Sequence, residues 1–340
     1  MANLKTKYMG FELKNPIIIG ACNLVINTDN LKKMEEKGAA AVVYKTLFEE
    51  QVNLENLEMY ELRTEYEERN AEMTTLFPNS KTDSQDPHEH LMNLRKAKEA
   101  VSIPVLASLN AIVDDTWVEY AKMIEQTGVD GIELNFYTLP EKTEEGNDEI
   151  EKKQVKILRD VKAAVKIPVS VKLSPFYTNP LRIISDLDRA KVDGLVLFNR
   201  LFQPDINTQT ERHIFPYNLS SSDDHRLPLR FAGLLYGNVN ASVCTNSGIL
   251  NGHDVIKMLL AGAVSVEVVS ALYRNGVDVI AIMIKDLEDW MDSKGYDTID
   301  SFRGKLSRKN TASELPYHRA QYLDFMMGTS EILKKYKAIR

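Results

Sequence analysis

The chain has 340 residues, 44% of them apolar and 27% charged, with a formal net charge of −7. That balance is ordinary for a folded globular protein, and the negative sign argues against a nucleic-acid partner. No apolar run approaches the roughly 20 residues that cross a bilayer, so no membrane partner is expected.

The N-terminal stretch "MANLKTKYMGFELKNP" has charge but no apolar centre, so it does not read as a secretory signal. Two cysteines, Cys22 and Cys244, imply a reducing compartment without a disulfide framework. The expected location is the cytoplasm.

Short apolar runs alternate with amphipathic segments along the chain. "PIIIGA" (16–21) is the first strand candidate, and "DNLKKMEEKG" (29–38) the first helix, with Asp29 as its N-cap. "AAVVYKT" (40–46) follows, then a long connection over 47–86 and a helix over 87–101. "PVLASLN" (104–110) leads to a helix over 114–128, and "GIELNF" (131–136) to one over 147–165. "PVSVKLS" (168–174) precedes a helix over 179–192. "GLVLFN" (194–199) is followed by a second long connection, 200–241. "SVCTNSG" (242–248), a helix over 251–262, "SVEVVSA" (265–271) and a helix over 277–295 complete the series.

The strand candidates are nearly continuous in apolar residues, as strands covered on both faces should be. Eight such units predict a single α/β domain, a (β/α)8 barrel, with a doubly wound open sheet as the alternative. The barrel is expected over residues 1–306. The tail, 307–340, carries one further helix around "AQYLDFMMGTSEILKKY". Both long connections follow the C-terminal ends of strands, the face where barrels build active sites.

Polar residues gather at those strand ends. Lys45 and Thr46 close the second strand, Asn110 the third and Asn135 the fourth. Lys172 lies in the fifth, Asn199 and Arg200 end the sixth, Asn246, Ser247 and Gly248 the seventh, and Ser270 the eighth. Buried polar groups need partners, and a polar ligand is an economical one. The turns after strands seven and eight suit a phosphate, although Val269 is β-branched where a glycine would fit better. His88 and His90 form an H-x-H pair expected at the surface, and no Cys/His spacing supports a metal. Cys22 and Cys244 are expected as buried structural thiols.

From "FELKNPIIIGA" through "GAAAVVYKT", "IELN", "VSVKL", "GLVLFN" and "NSGI" to "GYDTIDSFRGKL", the chain resembles the dihydroorotate dehydrogenase family, nearest its soluble class. The similarity covers about residues 7–306. It implies a (β/α)8 barrel with FMN at the strand C-termini, oxidation of dihydroorotate to orotate with hydride transfer to flavin N5, and a homodimer. By the same resemblance Ala21, Lys45, Thr46, Asn110, Asn135 and Lys172 hold the flavin. Gly233, Ser247, Gly248, Val269 and Ser270 wrap its phosphate, and Asn79, Asn135, Asn199 and Arg200 meet the substrate.

The sequence also departs from the family. Thr138 stands where a Cys or Ser base is usual, and is expected to act with Lys45. Pro140 replaces an asparagine, Met73 replaces another, and Arg200 stands where a small Ser or Thr is usual. The substrate is therefore dihydroorotate or a related compound. Two other readings stay open: a flavin-binding barrel without catalysis, and a Schiff-base lyase using Lys172 or Lys45.

Overall fold

The computed structural model describes residues 2–54, 87–137, 146–201, 203–216, 219–319 and 321–327. The chain opens with a hairpin, β1 (Thr6–Tyr8) antiparallel to β2 (Phe11–Leu13). Then come β3 (Ile17–Ile19), α1 (Thr28–Glu36), β4 (Ala41–Phe48), α2 (His88–Ala100), β5 (Val105–Asn110) and α3 (Asp114–Glu125). They are followed by β6 (Gly131–Asn135), α4 (Asn147–Ala164), β7 (Val169–Leu173), α5 (Pro180–Arg189) and β8 (Gly194–Leu197). A second hairpin, β9 (Asp205–Asn207) with β10 (Arg212–Ile214), precedes α6 (Arg226–Leu235). β11 (Ser242–Thr245), α7 (Gly252–Ala261), β12 (Ser265–Val268), α8 (Ser270–Asn275), α9 (Val279–Lys294) and α10 (Gln321–Met327) end the described chain.

The eight parallel strands close in the order β11-β12-β3-β4-β5-β6-β7-β8. All eight sequence-predicted strands are present and the open-sheet alternative is excluded. The first helix cap differs: Asn27, not Asp29, caps α1, its side chain accepting from the Asp29 and Asn30 amides.

Alternation along each strand sends successive side chains to opposite faces. Ile17, Ile19, Val42, Tyr44, Val105, Ala107, Ile132 and Leu134 face the helices and join the large outer core. Ile18, Ala41, Val43, Leu106, Val196 and Cys244 face inward and pack with Tyr8, Met9 and Leu13 of the first hairpin. That hairpin therefore plugs one mouth of the barrel. Gly194 makes room for it: a Cβ there would lie 2.8 Å from Met9 Cγ and 2.9 Å from Tyr8 Oη. With the N-terminal mouth stoppered by apolar side chains, the inward positions nearer the strand C-termini are left to form a site.

The 200–241 connection is not structureless. It holds the β9–β10 hairpin and α6, whose Pro228 sits in the first turn, where a missing N–H costs little. Part of the tail packs on α6. Arg308 N donates to Gly233 O (3.0 Å), and Arg230 donates to the carbonyls of Pro316 (3.0 Å) and Tyr317 (2.8 Å).

Candidate active site

A cavity of about 520 Å³ opens at the C-terminal ends of the barrel strands. Strand parity explains who lines it. Gly131, Glu133 and Asn135 share one face of β6, and Ser170 and Lys172 one face of β7. That face points into the barrel, so Asn135, Glu133 and Lys172 reach the cavity. On β4 the register shifts between Tyr44 and Leu47. This irregularity lets two successive residues, Lys45 and Thr46, both line the cavity. Thr46 Oγ1 is fixed by Ser108 Oγ at 2.8 Å.

Asn135 is held at both ends. Asn110 Nδ2 donates to its backbone carbonyl at 2.7 Å, and Asn199 Nδ2 donates to its side-chain oxygen. Asn110 thus acts through Asn135 and is not on the cavity wall. Asn199 is itself set by its amide, which donates to Leu173 O at 2.6 Å. Arg200 lines the same wall, with its guanidinium 2.8 Å from the Asp224 carboxylate.

Another wall is made by the turns after β11 and β12. Ser247 and Gly248 both have left-handed backbones (φ 66° and 70°). A Cβ on Gly248 would lie 2.4 Å from His225 N and 2.8 Å from Ser221 O, so glycine is needed for that close approach. Ser270 Oγ accepts from Ser220 N at 3.0 Å and lies 2.8 Å from Ser220 Oγ. Hydroxyls of Ser220 and Ser270 and the turn at Ser247–Gly248 therefore share one wall.

Val269 needs no glycine, contrary to the sequence expectation. Its φ is −134°, so no left-handed backbone calls for glycine there. Its side chain fills space that Gly20 leaves, since a Cβ at Gly20 would be 2.9 Å from Val269 Cγ2. Ala21 also lines the cavity. Gly233 is a clear departure from expectation. It lies inside α6, where its missing Cβ admits Tyr317, whose Oη would be 2.1 Å from such a Cβ. Thr138, Pro140, Met73 and Asn79 fall outside the described residues.

Charge is concentrated at the floor. Lys172 Nζ is 2.7 Å from Glu267 Oε2 and 3.5 Å from Glu133 Oε1. Burial alone would lower the Lys172 pKa, but the Glu133 and Glu267 carboxylates outweigh it and hold the ammonium above its usual range. A Schiff-base lysine must lose its proton to attack a carbonyl, and the two carboxylates beside Lys172 oppose that loss.

Glu133 and Glu267 were missed in the sequence. A signal was present: each is a lone carboxylate inside an apolar strand run, and Glu133 has the parity of the strand-end Asn135. Two side residues also moved. Cys22 is only half-buried and lines the cavity, with burial pushing its thiol up. His90 is not a surface residue. Its ring meets Tyr44 edge-on at 5.5 Å, and burial, then the Lys45 charge, bring its pKa down to about 4. Cys244 is buried, as expected. Among the described residues no cluster of His, Cys, Asp and Glu could hold a metal.

The residues present fit FMN, the cofactor the resemblance implies. A buried ammonium stands at the floor for the pyrimidine edge, and hydroxyls with a glycine-dependent turn stand at one wall for a phosphate. Asn246 Oδ1 is buried without a hydrogen bond among the described residues, an acceptor on the same cavity that lacks a donor.

Comparison with known proteins agrees. A family model described as dihydroorotate dehydrogenase matches residues 3–291. The catalytic subunit of dihydroorotate dehydrogenase B (NAD(+)) from Methanocaldococcus jannaschii is 27% identical over 288 residues, covering 81% of this chain and 89% of the relative. The protein of the same name from Thermoplasma volcanium is 26% identical over 312 residues, covering 89% and 98%. That from Bacillus pumilus is 29% identical over 229 residues, covering 65% and 72%.

Proposed function

The chain belongs to the dihydroorotate dehydrogenase family of FMN-dependent oxidoreductases, and from that premise we propose that it oxidises a CH–CH bond in dihydroorotate. The observation that carries this reading is the joining of Lys45, Asn135, Asn199 and Arg200 around one cavity with Lys172.

The bound flavin would accept the hydride; the rest is the work of this chain's residues. Lys172, its ammonium on the cavity floor, would hold the flavin's pyrimidine edge. Asn135 and Asn199, hydrogen-bonded to each other, both present amides to the cavity. Lys45 and Arg200, the latter paired with Asp224, also line the cavity and are suited to a substrate carboxylate. Thr138 is the proposed proton acceptor, and the residue before it in the chain, Tyr137, lines the cavity. The Thr138 hydroxyl is a weak base on its own, so Lys45 is the group that would favour its loss of a proton.

Residues 1–306 form the flavin-binding unit in this reading, and 307–340 a tail held through α6. The active form is a homodimer in the cytoplasm. Exposed Phe176 and Phe215, which follow β7 and β10, offer apolar surface for contacts. Among the described residues no helix is long and apolar enough to cross a membrane. The three relatives are named for NAD(+) and as catalytic subunits. This chain has no G-x-G-x-x-G run, so a nicotinamide acceptor would need a second surface or chain to hold it.

The test is orotate formation from dihydroorotate with an artificial electron acceptor. Wild-type protein should form orotate, and Thr138→Ala should slow it about 10²–10⁴-fold, the usual range for losing a general base. Absence of orotate from flavin-loaded wild-type protein would rule out dihydroorotate as the substrate.

A further inference from the structure

The cavity floor contains more acid than base. Glu133 on β6 and Glu267 on β12 are 1% and 3% exposed, and Lys172 between them is 8% exposed. Lys172 hydrogen-bonds Glu267 at 2.7 Å. Glu133 Oε1 is farther away, at 3.5 Å, and makes no hydrogen bond among the described residues.

The groups packed around this trio do not rebalance it. Below lie Tyr8 of β1 and Cys244 of β11, both held neutral by burial. Ser170 and Ser265 are uncharged. Above, Lys45 and Cys22 line the cavity and Arg200 is engaged by Asp224. Two ionised carboxylates on one ammonium would leave a net negative charge buried at the cavity floor, which a low-dielectric surrounding opposes.

We propose that Glu133 carries a proton in the resting protein, so that Lys172, Glu267 and Glu133 form a cluster of zero net charge directly beneath the flavin position. Glu267 keeps the ionised role because it has the shorter contact to the ammonium. Burial first, and the Glu267 charge second, push the Glu133 carboxyl upward, with Lys172 only partly opposing them. The proton does not depend on the flavin reading; its consequence does. A flavin above this floor meets Lys172 already compensated by Glu267, with a neutral acid alongside. Glu133 is thus a positioning residue that sets the charge the flavin meets.

Two readouts test this. The first is the infrared spectrum of the full chain at neutral pH, with its cofactor removed. The proposal expects a carbonyl band of a protonated carboxylic acid, shifted in heavy water and lost in Glu133→Gln. A wild-type spectrum without that band overturns the proposal and needs no variant to fold.

The second is the flavin midpoint potential at one fixed pH. Glu133→Gln should leave it near the wild-type value, because a neutral group replaces a neutral group. Glu267→Gln should also leave it there, because Glu133 then ionises and pairs with Lys172. Only the double variant should raise it, by baring the ammonium. An upward shift in each single variant would mean both carboxylates are ionised in the wild type, and would refute the assignment. If the chain takes up no flavin, the flavin reading fails while the infrared band still decides the proton.

Discussion

Replacing Lys172 with methionine removes the one cation on the buried Glu133–Glu267 pair while keeping most of the side-chain volume. Glu267 then stands as a buried carboxylate without the ammonium that lay 2.7 Å away. Breaking a buried ion pair from one side costs about 3–5 kcal/mol. A second route agrees: burial raises such a carboxyl by about 3 pK units, and at about 1.4 kcal/mol per unit that is about 4 kcal/mol.

The pH dependence has a definite sign. In the variant the folded-state carboxyl lies above its unfolded value of about 4.3. Its contribution is therefore fully present below that pH and is lost as the pH rises through the folded value. The deficit against wild type should be small near pH 4.5, grow by up to about 1.4 kcal/mol per unit, then level off. In a chain of 340 residues about 4 kcal/mol is a fall in Tm of about 6 °C at neutral pH. Thermal unfolding should be followed on flavin-free protein across that range, because a bound ligand adds its own stabilisation. An unchanged Tm at pH 8, or a deficit that shrinks as pH rises, would refute the reasoning. The triple variant that also carries Glu133→Gln and Glu267→Gln should recover much of the loss.

Three further outcomes are expected. Glu49 is buried and accepts from the amides of Ile112 (2.6 Å) and Val113 (3.1 Å) and from Thr116 Oγ1 (3.2 Å). Glu49→Ala leaves those donors unpaired and should cost about 1–3 kcal/mol in chemical unfolding. Gly248→Ala puts a Cβ 2.4 Å from His225 N at a left-handed φ. Strain of about 1–2 kcal/mol in that turn should weaken FMN binding about tenfold in a fluorescence titration. Gly233→Ala should instead displace Tyr317 and make residues 307–319 more sensitive to protease, with FMN affinity unchanged; weakened FMN binding would restore Gly233 to the cofactor site.

The barrel was legible because each of its strands is covered on both faces and so reads as a near-continuous apolar run. The first hairpin escaped notice: three-residue strands are too short for a periodic pattern, and Tyr8 and Met9 reveal their role only once Gly131 and Gly194 face them across the barrel. Polar strand ends located the site, and Lys45, Thr46, Asn135, Lys172, Asn199 and Arg200 do meet on one cavity. Attention to strand ends also hid Glu133 and Glu267, which lie one inward position deeper. Gly233 and Val269 show a different limit. A glycine can serve close packing in a helix rather than a phosphate turn, and a valine can stand where glycine is expected if a neighbour such as Gly20 yields the space. Only three-dimensional neighbours distinguish these cases.

The central claim is that this cavity holds FMN. Its most direct test is the visible absorbance of the purified full chain, with heat-released cofactor identified and counted against protein. Oxidised-flavin bands and about one FMN per chain are expected, either as purified or after incubation with FMN. A colourless protein that takes up no added FMN would contradict the claim.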